Sequence, residues 1–351
     1  MFKKHRIVNI LAAFLAVSFD LSGCSSDTEL NQGELSGSLE PQPLENPVTL
    51  KVSIATNNEG FAALKVADVA GEFAKENITI EYVALPSTEA IPALASGLVD
   101  VSAFGITVPF FNAIAGGAEV KMVYAGAENA EASGLFVKSE IADQGAAALK
   151  GKIIGLSQGW GQMATVIIEE HLATGGLTLD DLEVAIIPIE DIALSLDSGV
   201  IDMAHFGPPN SLLFLENGKA KKVVGYPKGA RNLGYAFGPR LLEEEPEIGQ
   251  AFIRALMRTT ENYLNGDYKA DPEKLAIFAE AIDVTEEDAL LTESVDFTTF
   301  SQSEIDNGAF DFYRKVQELW IRLGDLLTYE EPLTPSEYAD WSFVQRILDN
   351  K

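Results

Sequence analysis

An internal duplication governs how this chain can fold. Displaced by 102 positions, the sequence lies on itself without a gap from Val52 to Gly116. Val52-Ser53-Ile54-Ala55 falls on Ile154-Gly155-Leu156-Ser157, Pro86 on Pro188, Glu89 on Asp191, and Ser96-Gly97 on Ser198-Gly199. Asp100 falls on Asp202, Phe104-Gly105 on Phe206-Gly207, and Gly116 on Gly218. Identities gather at turns while apolar positions match in phase, the mark of one supersecondary unit used twice. At roughly 150 residues per domain, a chain of 351 residues is long enough for two bodies with cores of their own.

Within each copy, apolar runs of strand length alternate with stretches of helical spacing. The first copy predicts strands over Val48–Ala55, Ile78–Leu85, Val99–Phe104 and Val120–Tyr124, and helices over Phe61–Lys75, Glu89–Ala95 and Val108–Ala115. The second predicts strands over Lys152–Leu156, Glu183–Ile189, Asp202–Phe206 and Ala220–Gly225, and helices over Met163–Ala173, Ala193–Leu196 and Ser211–Glu216. This alternation implies an α/β fold of two lobes, each a mainly parallel sheet with helices on both faces. Ligands of open α/β sheets bind beyond the carboxyl ends of the strands, so the gap between lobes is the expected site. From Pro246 onward the chain reads as amphipathic helices. Their apolar stripes (Phe252, Leu256, Tyr263 and Phe278, then Phe312, Val316, Leu319 and Leu323) predict packing on the first lobe.

Charge and composition remove several classes. With 25 basic against 53 acidic residues, a net charge of −28 does not suit a grip on a phosphate backbone, and no nucleic-acid partner is expected. One cysteine and three histidines cannot build a disulfide framework or a thiolate or histidine metal site, so no metal and no cofactor is expected. The N-terminus bears on the compartment. Lys3, Lys4, His5 and Arg6 precede an apolar run from Ile7 to Phe19 that is too short to span a bilayer comfortably. It ends at Leu21-Ser22-Gly23-Cys24, which resembles a bacterial lipoprotein signal in which Cys24 receives lipid. Residues 1–23 are then a signal peptide, and residues 24–47, rich in Ser, Glu, Gly, Pro and Asn, a flexible tether. The expected place is the outer face of the cytoplasmic membrane, at the cell surface or in the periplasm. An ordinary signal peptide with a chance cysteine is the alternative.

Four segments carry a family resemblance: KVSIA (Lys51–Ala55), ALASGLVD (Ala93–Asp100), NAIAGGAEVK (Asn112–Lys121) and LKGKIIG (Leu149–Gly155). Together they resemble the extracytoplasmic solute-binding proteins of ABC importers, in the branch of alkanesulfonate, taurine, nitrate and thiamine-pyrimidine binders. The resemblance implies a two-lobed periplasmic-binding-protein fold (type II), joined by two crossings, with C-terminal helices packed on lobe one. Carried onto this chain, lobe one is 48–133 plus 235–351 and lobe two is 134–234. It further implies a monomer that closes on a small-molecule solute by hinge motion and delivers it to a membrane permease with a cytoplasmic ATPase, catalysing nothing. The same fold hosts pyrimidine-precursor and menaquinone-pathway enzymes, so an enzyme is the alternative; an export signal favours the receptor.

Candidate contacts lie at the strand-to-helix turns. Asn57, Asn58, Glu59 and Phe61 follow the first strand, and Gln158, Trp160 and Gln162 occupy the duplicate turn. Such turns offer a ligand free N–H groups and the positive end of a helix dipole. Trp160 has a stacking face, with packing between lobes as its other reading. Ser87 follows the second strand, where capping of the next helix is the favoured reading over solute contact. Ile106 and Thr107 in one copy, and Phe206, Pro208 and Asn210 in the other, lead into the third helix, where capping is the alternative for Thr107 and Asn210. Glu128 and Asn129 precede the first crossing. Two acids, no Lys or Arg in these turns, and the rings of Phe61, Trp160 and Phe206 favour a heteroaromatic such as a pyrimidine or flavin-like compound beside a sulfonate or nitrate-type anion. Asp100 and Asp202 read as structural. His171 and His205 have neither metal-ligand spacing nor a nucleophile nearby, so no catalytic residue is assigned.

Overall fold

The computed structural model describes residues 38–54, 59–85, 87–208, 210–297 and 310–349, with Ser87 and Thr88 described in backbone only. The signal segment, Cys24 and most of the tether lie outside these residues, as do Asn57 and Asn58. Two five-stranded sheets form, in the orders β2-β1-β3-β10-β4 and β7-β6-β8-β5-β9. The first contains β1 (Val48–Ile54), β2 (Ile78–Ala84), β3 (Val101–Gly105), β4 (Lys121–Ala125) and β10 (Leu233–Phe237). The second contains β5 (Gly134–Lys138), β6 (Ile153–Leu156), β7 (Glu183–Ile186), β8 (Met203–Phe206) and β9 (Ala220–Val224). Each sheet with its helices is one lobe. Repeat symmetry reaches individual hydrogen bonds: Asp100 accepts from the Lys51 amide at 2.8 Å, and Asp202 from the Ile153 amide at 3.0 Å. Both aspartates are structural, each holding the edge of a parallel strand pair.

Two strands of this fold, β5 and β10, were absent from the sequence expectation, and they are the ones that join the lobes. Each follows a crossing and enters its sheet antiparallel, β10 between β3 and β4, β5 between β8 and β9. Their registers match, since Gly234 pairs with Phe104 while Gly134 pairs with Phe206, and each strand shifts register one residue after its next position. Each carries a glycine where the neighbouring strand leaves no room, at the first position of β5 and the second of β10. A Cβ on Gly134 would stand 2.2 Å from the Val224 carbonyl oxygen, and one on Gly234 2.8 Å from the Met122 sulfur.

The first lobe carries helices α1 (Ala62–Val69), α2 (Ser87–Ala95) and α3 (Val108–Ala115), and the second α4 (Ala164–Thr174), α5 (Ile189–Asp197) and α6 (Asn210–Asn217). Helix α1 stops well short of the expected Lys75. Gly71 takes a left-handed conformation (φ 71°), and the following turn sends Glu72 and Glu76 into the interior. There they meet Arg254 and Arg258 of α7 (Pro246–Tyr263), with Arg254 Nη2 2.7 Å from Glu76 and Arg258 Nη1 2.8 Å from the same carboxylate. The same arginines hold residues 38–47, the end of the expected tether. Arg258 donates to the Leu39 carbonyl at 2.9 Å, the Leu44 amide donates to the Glu76 carbonyl at 3.1 Å, and both leucines pack on the core. This end of the segment is therefore part of the folded body.

Helices α7, α8 (Pro272–Ile282) and α10 (Ser342–Leu348) pack on the first lobe, as expected, through Phe252, Leu256, Phe278 and Phe343, with α8 lying against α1. Helix α9 (Phe310–Leu323) does more. Its Phe312, Tyr313, Val316 and Trp320 share one hydrophobic core with Phe104 and Phe111 of the first lobe and Leu135, Ile154 and Met163 of the second. Trp320 Nε1 donates to the Trp160 carbonyl at 2.7 Å, and Arg322 forms a two-pronged pair with Glu169 of α4 at 3.0 and 2.6 Å.

Candidate functional site

The crossings run side by side and are bonded to one another. Asn129 donates from its backbone amide and from Nδ2 to the Ala230 carbonyl at 3.3 and 2.8 Å, and Glu128 accepts from the Gly229 amide. Arg231, buried beneath them, donates to the carbonyls of Gly126 at 2.9 Å and Asp296 at 3.2 Å. Burial lowers its guanidinium from the ordinary value, while Asp296 and Glu128 oppose that shift.

Of the residues singled out at the turns, the structure brings several together across the lobes. Thr107 and Gln162 form a β-bridge between lobes, and the Val108 amide donates to the Gly161 carbonyl at 3.1 Å. Trp160 is half-buried against the shared core, its carbonyl held by Trp320 and, at 2.9 Å, by the Thr165 hydroxyl. Gln158 closes its own turn by accepting from the Gly161 amide at 3.2 Å. Phe61 and Phe206, expected to face a solute, are core residues. Phe61 packs edge-on to Tyr235 (5.8 Å), and Phe206 stacks with Phe136 (4.9 Å) and Phe214 (5.2 Å). Ile106 is buried too, its amide bonded to the Asn232 carbonyl at 2.9 Å. Pro208 and Asn210 are half-buried at the start of α6, and Ser87 opens α2. Glu59 is held at 2.7 Å by Lys269, an ammonium buried behind it.

Open space lies at the crossings. A cleft of about 550 Å³ is walled by Glu128, Asn129 and Glu131 of the first crossing, by Leu212, Leu215 and Lys222 of the second lobe, and by the 291–296 segment of the first. Of the expected contacts, Glu128 and Asn129 line it, and Glu59 stands behind it, 3.4 Å from the Thr292 hydroxyl. Sequence reading missed Leu212, Leu215 and residues 291–296. The available signal was the apolar pair Leu212 and Leu215, one helical turn apart yet outside the core stripe of Phe214.

The family model for NMT1/THI5-like proteins matches residues 58–274, more than half of the sequence. The chain belongs to the NMT1/THI5-like family. A search of curated proteins returns no match. Among solved structures, this NMT1/THI5-like chain is similar to the periplasmic sulfonate-binding protein SsuA from Methylobacillus flagellatus KT, with a TM-score of 0.66 and 19% identity over 88% of this chain and 96% of that one. It is similar to the periplasmic nitrate-binding protein NrtA from Synechocystis PCC 6803 at a TM-score of 0.65 and 16% identity, covering 88% and 90% of the two chains. The desulfurization enzyme DSZB gives a TM-score of 0.61 and 15% identity over 86% and 99%. All three share the periplasmic-binding-protein architecture of paired α/β lobes seen here.

His205, on β8, packs edge-on against Tyr226 (5.4 Å), which in turn meets Phe312 of α9 (6.1 Å). Its Nε2 is buried with no hydrogen-bond partner among the described residues, and burial lowers the imidazole to about 4, so the ring is neutral at physiological pH. Among the described residues, no group of three or more His, Cys, Asp or Glu side chains is placed to hold a metal ion, and no helix is long and apolar enough to cross a membrane.

Proposed function

We propose that this NMT1/THI5-like protein is the extracytoplasmic, lipid-anchored substrate-binding component of an ABC importer, which captures a small organic solute between its lobes and presents it to a permease. The observation that carries the reading is the cleft at the crossings. Its volume of about 550 Å³ falls within the range of small-molecule sites, and both lobes and a crossing contribute to its walls, so hinge rotation opens or closes it. The fold shared with SsuA and NrtA and the signal-like N-terminus ending at Cys24 support the same reading. Binding makes and breaks no covalent bond: its free energy comes from desolvated apolar contact with Leu212, Leu215 and Leu291 and from hydrogen bonds at the crossing. The solute is a heteroaromatic, such as a pyrimidine or flavin-like compound, or an anion of the sulfonate or nitrate type.

A thermal-shift screen of sulfonates, nitrate, pyrimidines and flavins on the full chain tests this. A compound that raises the melting temperature is then titrated against Trp160→Ala and Leu212→Arg. Loss of binding in Leu212→Arg alone places the solute at the crossings, and loss in Trp160→Ala alone places it at the mirrored turns. Binding unchanged in both removes the interlobe site. A second reading, an enzyme on the same fold, is favoured by the likeness to DSZB and by the unpartnered Nε2 of His205. Turnover of a bound compound that is lost in His205→Gln establishes it.

A further inference from the structure

We infer that the solute of the crossing cleft carries positive charge (an amine, an amidine or a cationic nitrogen heterocycle with an apolar body), and that oxyanions are excluded from it. This rests on the reading of the cleft as the solute site and narrows the class of molecule it takes. The walls present Glu128, Glu131, Glu293 and Asp296 against the single ammonium of Lys222. Glu131 and Glu293 are exposed, and no described residue engages either carboxylate.

Each basic group near the cleft is already engaged. Lys222 donates to the Glu131 carbonyl. Lys269, only 4% exposed, donates to Glu59 at 2.7 Å, to the Thr292 hydroxyl at 2.6 Å and to the carbonyls of Thr292 and Glu293 at 3.3 and 3.1 Å. Arg231 is held by the backbone carbonyls of Gly126 and Asp296. Lys228 lies on the second crossing but not in the cleft lining. An oxyanion entering the cleft therefore meets more carboxylates than cations among the described residues, with Arg231 offsetting part of the charge of Glu128 and Asp296.

The apolar part of the solute has a match as well. Leu215 of one lobe is 52% exposed and Leu291 of the other 49%, both in the cleft wall. Low-dielectric walls of this kind concentrate the field of nearby carboxylates in the cleft.

The sign of the cleft can be measured without knowing the solute. In the full chain with Cys24→Ser, a cysteine is placed in the cleft (Leu215→Cys) or on a distant exposed site (Leu98→Cys). Its rates of modification by trimethylammonioethyl and sulfonatoethyl methanethiosulfonate are compared, each normalised to a free thiol. The expected cation-to-anion rate ratio at position 215 is about tenfold above that at position 98, falling severalfold in Glu131→Gln/Glu293→Gln and in about 1 M salt. A ratio at position 215 equal to or below that at position 98 overturns the inference. Benzamidine and benzenesulfonate, planar molecules of opposite charge, are then tested for protection of the cleft cysteine. Protection by benzamidine is expected, and protection by benzenesulfonate alone overturns the inference while leaving the cleft as the site. Protection by neither, with the rate ratio intact, overturns the reading of the cleft as a solute site and the inference with it.

Discussion

His205 has a measurable consequence at the scale of one residue. Unfolded, its imidazole binds a proton near the ordinary value of 6.5; folded, it resists protonation down to about 4. Between those limits the unfolded chain holds the extra proton, so stability falls as pH drops through that window. Melting temperatures measured from pH 7 to pH 4 should therefore fall less steeply in His205→Gln than in the parent. Equal slopes would mean that the ring is solvated. Glu72 behaves in the usual carboxylate sense. Burial alone would raise it, but Lys75 and Arg258 hydrogen bonds outweigh burial and hold it below its ordinary value. Its stabilisation is complete above the normal carboxylate range and is lost as pH falls through the lowered native value. Arg258→Met, which removes one partner from each of two buried carboxylates and leaves Glu72 with Lys75 and Glu76 with Arg254, should cost about 3 kcal/mol by chemical denaturation.

At the scale of the element, the swapped strands show what the residue pattern revealed and what it hid. The alternation in Val48–Ile54 and the turn glycines sufficed to predict the eight strands of the two copies to within a few residues. Both β5 and β10 escaped because the repeat spacing changes from 102 to 100 across the crossings, where Gly134 answers to Gly234, so a gap-free comparison loses them. Their glycines are not equivalent in cost. An alanine at 134 meets backbone, which cannot yield, whereas one at 234 meets the end of a flexible methionine. Gly134→Ala should lower stability by about 3 kcal/mol and Gly234→Ala by about 1 kcal/mol, read as a difference in denaturation midpoints. Helix α1 is a comparable case. Its apolar spacing continues to Lys75, but Gly71 and the attraction of Glu72 and Glu76 to arginines far along the chain end it early.

For the whole molecule, closure of the lobes depends on α9. Trp320 and Arg322 of this helix hold Trp160 and Glu169 of the second lobe, while Thr107 and Gln162 meet directly. Deleting the indole N–H in Trp320→Phe leaves the Trp160 carbonyl without that donor and should shift the population toward open lobes. Small-angle scattering of the solute-free protein would read this as a larger radius of gyration, with weaker solute affinity in proportion to the closed fraction lost. Arg322→Ala, an exposed pair worth about 0–1 kcal/mol, should change the scattering little.

Periodicity and the repeat were enough to establish the α/β class, the two lobes and the structural role of Asp100 and Asp202, and four short segments carried the resemblance that family membership bears out. These depend on neighbours in sequence, whose spacing is printed in the chain. Where the cleft lies was beyond that reading: its walls come from 128–132, 212–222 and 291–296, segments that meet only once strands have exchanged between sheets and α9 has drawn the mirrored turns together. Long-range packing decided it, because which apolar faces are buried, and which are left facing a gap, depends on partners that no local pattern names.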